Sequence, residues 1–281
     1  MGQLTPICEG AQPLACAFPM GNVAFSPRPG SAERYQGAMS TLRLHYAPDN
    51  ASLIIRLALE ELRLPYTTCL VDRARTAQKA PAYLALNPTG LIPVLETPQG
   101  AIFETGAILL WLADAHPAQT AAQGLFPAPG DAPRGAALKW LFFVANTLHP
   151  ALRMQFYPHL YVGQDSAAQS QFRQINSANI ARHLALLDAA AAQATPMGSG
   201  PFAGQNPSLI DLYLAPLLRW CALYPQGETG WFALSDTPHL HAMAERLEHR
   251  PSTHAAALAE GLGPQPFTRP ALATPPEGSA V

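Results

Sequence analysis

Residues 87–105 read NPTGLIPVLETPQGAIFET. Two short apolar runs, LIPVL and AIF, flank a PQG turn, and that pattern predicts a β-hairpin. Pro93 stands inside the first run, where it removes a ladder donor; such a proline marks a sheet edge, a bulge or a cis peptide bond. Glu104 and Thr105 follow the second run where a helical pattern, TGAILLWLADA, begins, and Thr105 is placed to cap it.

Working outward, TLRLHY puts Leu42, Leu44 and Tyr46 on one side of a strand. APDN breaks it. ASLIIRLALEELRL reads as a helix with a polar stripe of Ser52, Arg56, Glu60 and Arg63. PYTTCLVD is β-branched and apolar, a second strand, and TAQKAPAYLAL is a short, weak helix. The order is βαβ, a short helix, then ββα, which is the order of a thioredoxin-like domain. In that setting a cis-proline opens the hairpin strand and turns the preceding N–H and C=O outward. Ile92 is then set to pair with a peptide-like ligand as a short antiparallel strand.

PAPGDAP separates this half from the next, and RGAALKWLFFVANTLHPALRMQFYP reads as one long helix despite Pro150. Leu141, Ala145, Leu148, Leu152 and Phe156 line its core face, beside a polar stripe of Asn146, His149, Arg153 and Tyr157. A second amphipathic helix covers SQFRQINSANIARHLALLDAAAA. A capping box, Ser208 with Asp211, opens a third and reads as a folding element. The expected organisation is a thioredoxin-like domain over 41–117, a linker over 118–133, a helical bundle over 134–262 and a Pro-rich tail over 263–281. Residues 1–40 lack any sustained period and read as a disordered extension, or as sequence upstream of a natural start at Met39; Arg28 and Arg34 leave a weak organellar-targeting alternative.

With a formal net charge of −2 over 281 residues and no basic run, nothing points to nucleic acid. No apolar run approaches the roughly 20 residues that span a bilayer. Cys8, Cys16, Cys69 and Cys221 have neither CxxC nor metal spacing and read as free thiols of a reducing, cytoplasmic setting. His239, His241, His249 and His254 lack metal spacing, so no metal is expected.

NPTGLIPVLET followed by AIFETGAILLWLAD resembles the amino-terminal domain of glutathione S-transferases, as does LRLHYAPDNASLIIRLALEE. The resemblance is strong over 41–117 and holds in outline over 130–260. It implies a glutathione site: Glu104 for the γ-glutamyl amine, Thr105 and the helix start for the carboxylate beside it, Ile92 and Pro93 for the cysteinyl backbone. Leu91 stands where many members carry Lys or Arg, so Lys79 is the candidate for the glycine carboxylate, with a solvated surface lysine as the alternative. A similar bacterial subgroup, reading SPGACS, has cysteine where this chain has Ala51, which argues against an enzyme thiol there. The donor to the glutathione thiolate is then Asn50, Ser52 or Tyr46, although Asn50 and Ser52 also read as helix caps. His149, Arg153 and Tyr157 are candidates for the electrophile site, with a solvated face or a dimer contact as the alternative. The resemblance implies a homodimer, and a transferase that joins the glutathione thiolate to a small apolar electrophile. Alternatives are a glutathione-dependent isomerase, reductase or peroxidase, or a non-catalytic binding module.

Overall fold

A computed structural model describes residues 42–194, 202 and 206–280; the expectations for residues 1–40, Cys8 and Cys16 lie outside them. Strand β1 (Leu42–Tyr46) leads into helix α1 (Ser52–Leu62) and strand β2 (Tyr66–Leu70). A 3-10 turn (Ala77–Lys79) and the short α2 (Pro81–Leu84) follow, then β3 (Val94–Thr97), β4 (Gly100–Phe103) and α3 (Thr105–Ala115). The sheet order is β2-β1-β3-β4, with β1 parallel to β2 and antiparallel to β3. The predicted hairpin is β3–β4, closed by pairing of Thr97 with Gly100.

The NPTG turn before the hairpin is explained by its side chains. Asn87 is buried; its Oδ1 accepts from the amide and hydroxyl of Thr89, and its Nδ2 donates to the Leu91 carbonyl. Gly90 has φ +64, and a Cβ there would sit 2.9 Å from the Gln78 carbonyl oxygen, so only glycine fits.

The helical half comprises α4 (Pro117–Gln123), α5 (Arg134–Phe143), α6 (His149–Phe156), α7 (His159–Val162), α8 (Ser166–Ala192), α9 (Leu209–Leu223), α10 (Pro238–Glu248) and α11 (Pro251–Glu260). α4 occupies the first half of the stretch read as linker. The long helix expected around Pro150 is α5 and α6 joined by a π turn, Val144–Leu148. That widened turn falls where the carbonyl four residues back would meet the proline ring. The capping box forms in full: Ser208 Oγ accepts from the Asp211 amide, and the Asp211 carboxylate takes the Ser208 amide at 2.7 Å. Burial pushes the Asp211 carboxyl up to about 6, against the hydrogen bonds that draw it down.

One apolar core runs from Leu44, Leu53 and Ile108 under the sheet to Leu152, Leu184 and Leu214 between the helices. Two features depart from the sequence reading. Ser52 and Arg56 of the polar stripe on α1 are buried, because Arg56 pairs with Glu260 of α11. The Pro-rich tail packs back on the fold: Glu248 takes the amides of Phe267 and Thr268, Tyr46 donates to Glu277, and Arg73 donates to the Ala280 carbonyl at 2.8 Å.

Candidate active site

Sheet register gathers the site. Val94 pairs with His45 of β1 on one side and with Phe103 of β4 on the other. One step past that rung lie Tyr46, Pro93 and Glu104, so the turn after β1, the Ile92–Pro93 bond and the start of α3 share one end of the sheet. That bond is cis. The Leu91 carbonyl before it accepts from the Tyr83 hydroxyl at 2.7 Å and from Asn87 Nδ2, which fixes the approach of the chain.

Glu104 is exposed and holds φ 71, a left-handed conformation that a glutamate seldom adopts. It occupies the N-cap position of α3, so Thr105 is the first helical residue and not the cap that the sequence suggests. Thr105 is buried, with its side chain beside the Tyr213 hydroxyl of α9. Tyr213 in turn lies 2.9 Å from Nδ1 of His149.

Across the site the Lys79 ammonium reaches Gly90, so near that a Cβ there would lie 2.9 Å from it. Lys79 thus supplies a cation beside Gly90, one residue before Leu91. Beside it, Gln78 Oε1 is buried without a hydrogen-bond partner.

The model of the glutathione S-transferase N-terminal domain matches residues 51–115, and that of the C-terminal domain matches residues 171–242. A sphingomonad glutathione S-transferase, solved in complex with glutathione, is 30% identical, with 79% of this chain and 100% of that one covered and a TM-score of 0.63.

The chain belongs to the glutathione S-transferase family.

Among curated members of that family, glutathione S-transferase GST-4.5 of Xanthomonas campestris pv. campestris is 29% identical over 79% of this chain and its own full length. A maleylacetoacetate isomerase of Rhizobium meliloti is 29% identical over 65% of this chain and 84% of its own. The fold is therefore the glutathione S-transferase one, a thioredoxin-like domain followed by a helical domain.

Of the three thiolate-donor candidates, two are already engaged. Ser52 is fully buried; its hydroxyl donates to the Ala47 carbonyl at 3.0 Å and accepts the Ala47 amide at 3.2 Å. With its single proton used, Ser52 locks the turn and is not a donor to sulfur. Tyr46 is 2% exposed, its ring lies under the Arg56 guanidinium and its hydroxyl donates to Glu277. Burial and that carboxylate push the tyrosine well above its ordinary range, so Tyr46 is likewise withdrawn. Asn50 stays: it is half-buried, and its Oδ1 accepts the Ala51 amide at 2.8 Å, which leaves the Nδ2 hydrogens for another acceptor.

The stripe on α6 divides. His149 packs against Tyr213 and Trp220, and burial drives its pKa down to about 4. The ring is neutral at physiological pH and belongs to the α9 network. Arg153 donates to the Tyr161 hydroxyl at 2.8 Å, and Tyr157 accepts from Arg73 at 3.0 Å. Through Arg73 the loop after β2 meets Tyr157 at the end of α6 and Ala280 of the tail.

Sequence reasoning passed over Asp49, Arg219 and Tyr213. The Asp49 carboxylate pairs with Arg219 and accepts from Trp220. The available signal was a polar face on α9, Tyr213, Trp220 and Tyr224, at helical spacing. Among the described residues no cluster of three or more His, Cys, Asp or Glu can hold a metal ion, and no helix is long and apolar enough to cross a membrane.

Proposed function

We propose that this chain is a glutathione transferase that holds glutathione along the end of the sheet and directs its thiolate at a small apolar electrophile. The observation that supports the reading is the rung His45–Val94–Phe103, beyond which the turn after β1, the Ile92–Pro93 bond and the start of α3 follow at one end of the sheet. Glutathione would lie antiparallel to the strand at Ile92, with its cysteinyl amide groups on the Ile92 main chain. Its γ-glutamyl amine would meet Glu104, its α-carboxylate the first amides of α3, and its glycine carboxylate Lys79.

Free thiols ionise near pH 8.5, so only a few per cent is thiolate at neutrality. Donation from Asn50 Nδ2 and the positive end of α1 favour the anion. In the reaction a sulfur–carbon bond forms, and the displaced group leaves with its electron pair; Asn50 need only donate to sulfur. Arg153 and Tyr157 stand on the side of the second substrate. A cytoplasmic homodimer accompanies the reading, as the family resemblance implies.

A glutathione-dependent isomerase is the second reading, favoured by the likeness to maleylacetoacetate isomerase. It needs the same thiolate, which adds to the substrate and later leaves. The test is turnover of glutathione with an activated aryl halide set against cis–trans isomerisation of an activated alkene diacid. Conjugation supports the transferase, isomerisation alone supports the second reading, and failure to bind glutathione removes both.

A further inference from the structure

The turn between β1 and α1 is held by a knot that the proposed chemistry has not used. Asp49 is 4% exposed, and its carboxylate accepts four hydrogen bonds from α9 and the residue after it. Oδ1 takes Arg219 Nε at 2.8 Å and Trp220 Nε1 at 2.8 Å; Oδ2 takes Arg219 Nη2 at 2.9 Å and the Tyr224 hydroxyl at 2.9 Å. Its own amide donates to Glu260 at 2.9 Å. Arg219 has no exposed surface, and two of its three remaining hydrogens go to the carbonyls of Pro266 and Ala271. Every lone-pair direction of the carboxylate is thus filled by a donor from the helical domain.

Asp49 adopts φ 49, in the left-handed region where a residue with a Cβ is disfavoured. Here the four donors hold it, and it turns the chain immediately before Asn50 and the first amides of α1. The Asn50 carbonyl accepts the Leu53 amide at 2.8 Å, so its backbone is fixed on the helix side as well. Arg219 also offsets the Asp49 charge, which would otherwise oppose a thiolate nearby.

We infer that Asp49 is a positioning residue: gripped by Arg219, Trp220 and Tyr224, it sets the left-handed kink that aims the Asn50 amide and the α1 start at the glutathione sulfur. The same helix α9 carries Tyr213, which lies beside Thr105 at the start of α3. The inference rests on the glutathione reading above.

The test uses the full chain and measures the pH titration of bound glutathione by thiolate ultraviolet absorbance, alongside kcat, KM and melting temperature. The variants are Asp49→Asn, which keeps the shape and loses the charge, and Tyr224→Phe, which removes one donor and unpairs no charge. In Tyr224→Phe the bound thiol's pKa is expected to rise, with KM for glutathione within about threefold of wild type; in Asp49→Asn the unpaired Arg219 charge works against such a rise, and the loss of the kink is read from a kcat about tenfold lower at unchanged KM. A folded variant with a lower melting temperature but the wild-type thiol titration and kcat would show a folding knot alone and overturn the inference. If Asp49→Asn does not fold, Tyr224→Phe decides by its thiol titration. A wild type that leaves the thiol at its solution pKa overturns the glutathione reading itself, and does so before any variant is made.

Discussion

Arg56 Nε and Glu260 Oε1 lie 2.8 Å apart with almost no solvent contact, joining α1 of the sheet domain to α11 of the helical domain. They are 204 residues apart in the chain. Burial pushes the Glu260 carboxyl up to about 7, against Arg56 and the Asp49 amide, which draw it down. Desolvation therefore takes back much of what the pair gains.

Breaking one side of that pair is expected to cost more than removing its charge from both. Arg56→Met strands a buried carboxylate and should lower stability by about 3–5 kcal/mol. The double variant Arg56→Met, Glu260→Gln keeps an acceptor for the Asp49 amide and should recover part of the loss. Urea unfolding of both checks this; a double variant less stable than the single would contradict it.

His149 gives stability a pH dependence that can be isolated. Its pKa falls from 6.5 to about 4 on folding, because burial and nearby Arg153 oppose the charged ring. Below pH 6.5 the unfolded chain takes up a proton that the folded ring refuses, so wild type loses stability until about pH 4, where the folded ring is protonated too. His149→Asn keeps an acceptor for Tyr213 and cannot titrate. Wild-type stability relative to this variant should fall by at most about 3 kcal/mol between pH 7.5 and 4. A constant difference across urea curves at several pH values would show that the ring is accessible to solvent protons.

The amount that was legible in the sequence differs between the fold and the site. The hairpin, the order of elements and the NPTG turn were readable because each rests on neighbours in the chain. Asn87 bonds Thr89 and Leu91, and Gly90 answers to a local positive φ. The burial of Ser52 and Arg56 on the polar stripe of α1 was not legible, because polar and charged residues are buried only when paired. The partner of Arg56, Glu260, is far along the chain. Asp49 is hidden in the same way: its partner Arg219 lies 170 residues on. The tail shows no periodicity because it forms neither helix nor strand; it is held by the side chains of Arg219, Glu248, Tyr46 and Arg73.

Truncation should therefore be graded. Ending the chain at Leu262 removes the carbonyl partners of buried Arg219 and the Phe267 and Thr268 partners of Glu248. That should destabilise by more than about 3 kcal/mol. Ending it at Pro275 removes the contacts of Glu277 and Ala280 while keeping those of Arg219 and Glu248, and should cost less, on the order of 1 kcal/mol. Melting temperatures of the two truncations test the order; equal losses, or none, would contradict the packing.

Glu104 and Thr105 are expected to carry much of the glutathione affinity. Glu104→Gln with Thr105→Ala removes the exposed carboxylate and the hydroxyl beside Tyr213, and should weaken binding more than tenfold, roughly 1.4 kcal/mol. Calorimetric titration of the folded double variant checks it. Unchanged affinity would remove the γ-glutamyl assignment.

The central claim is tested most directly by the ultraviolet absorbance of the thiolate as wild-type protein is titrated with glutathione across a range of pH. The expected result is saturable binding, with a bound-thiol pKa well below the roughly 8.5 of a free thiol. Absence of saturable binding, or a bound thiol that ionises at its solution value, would contradict it.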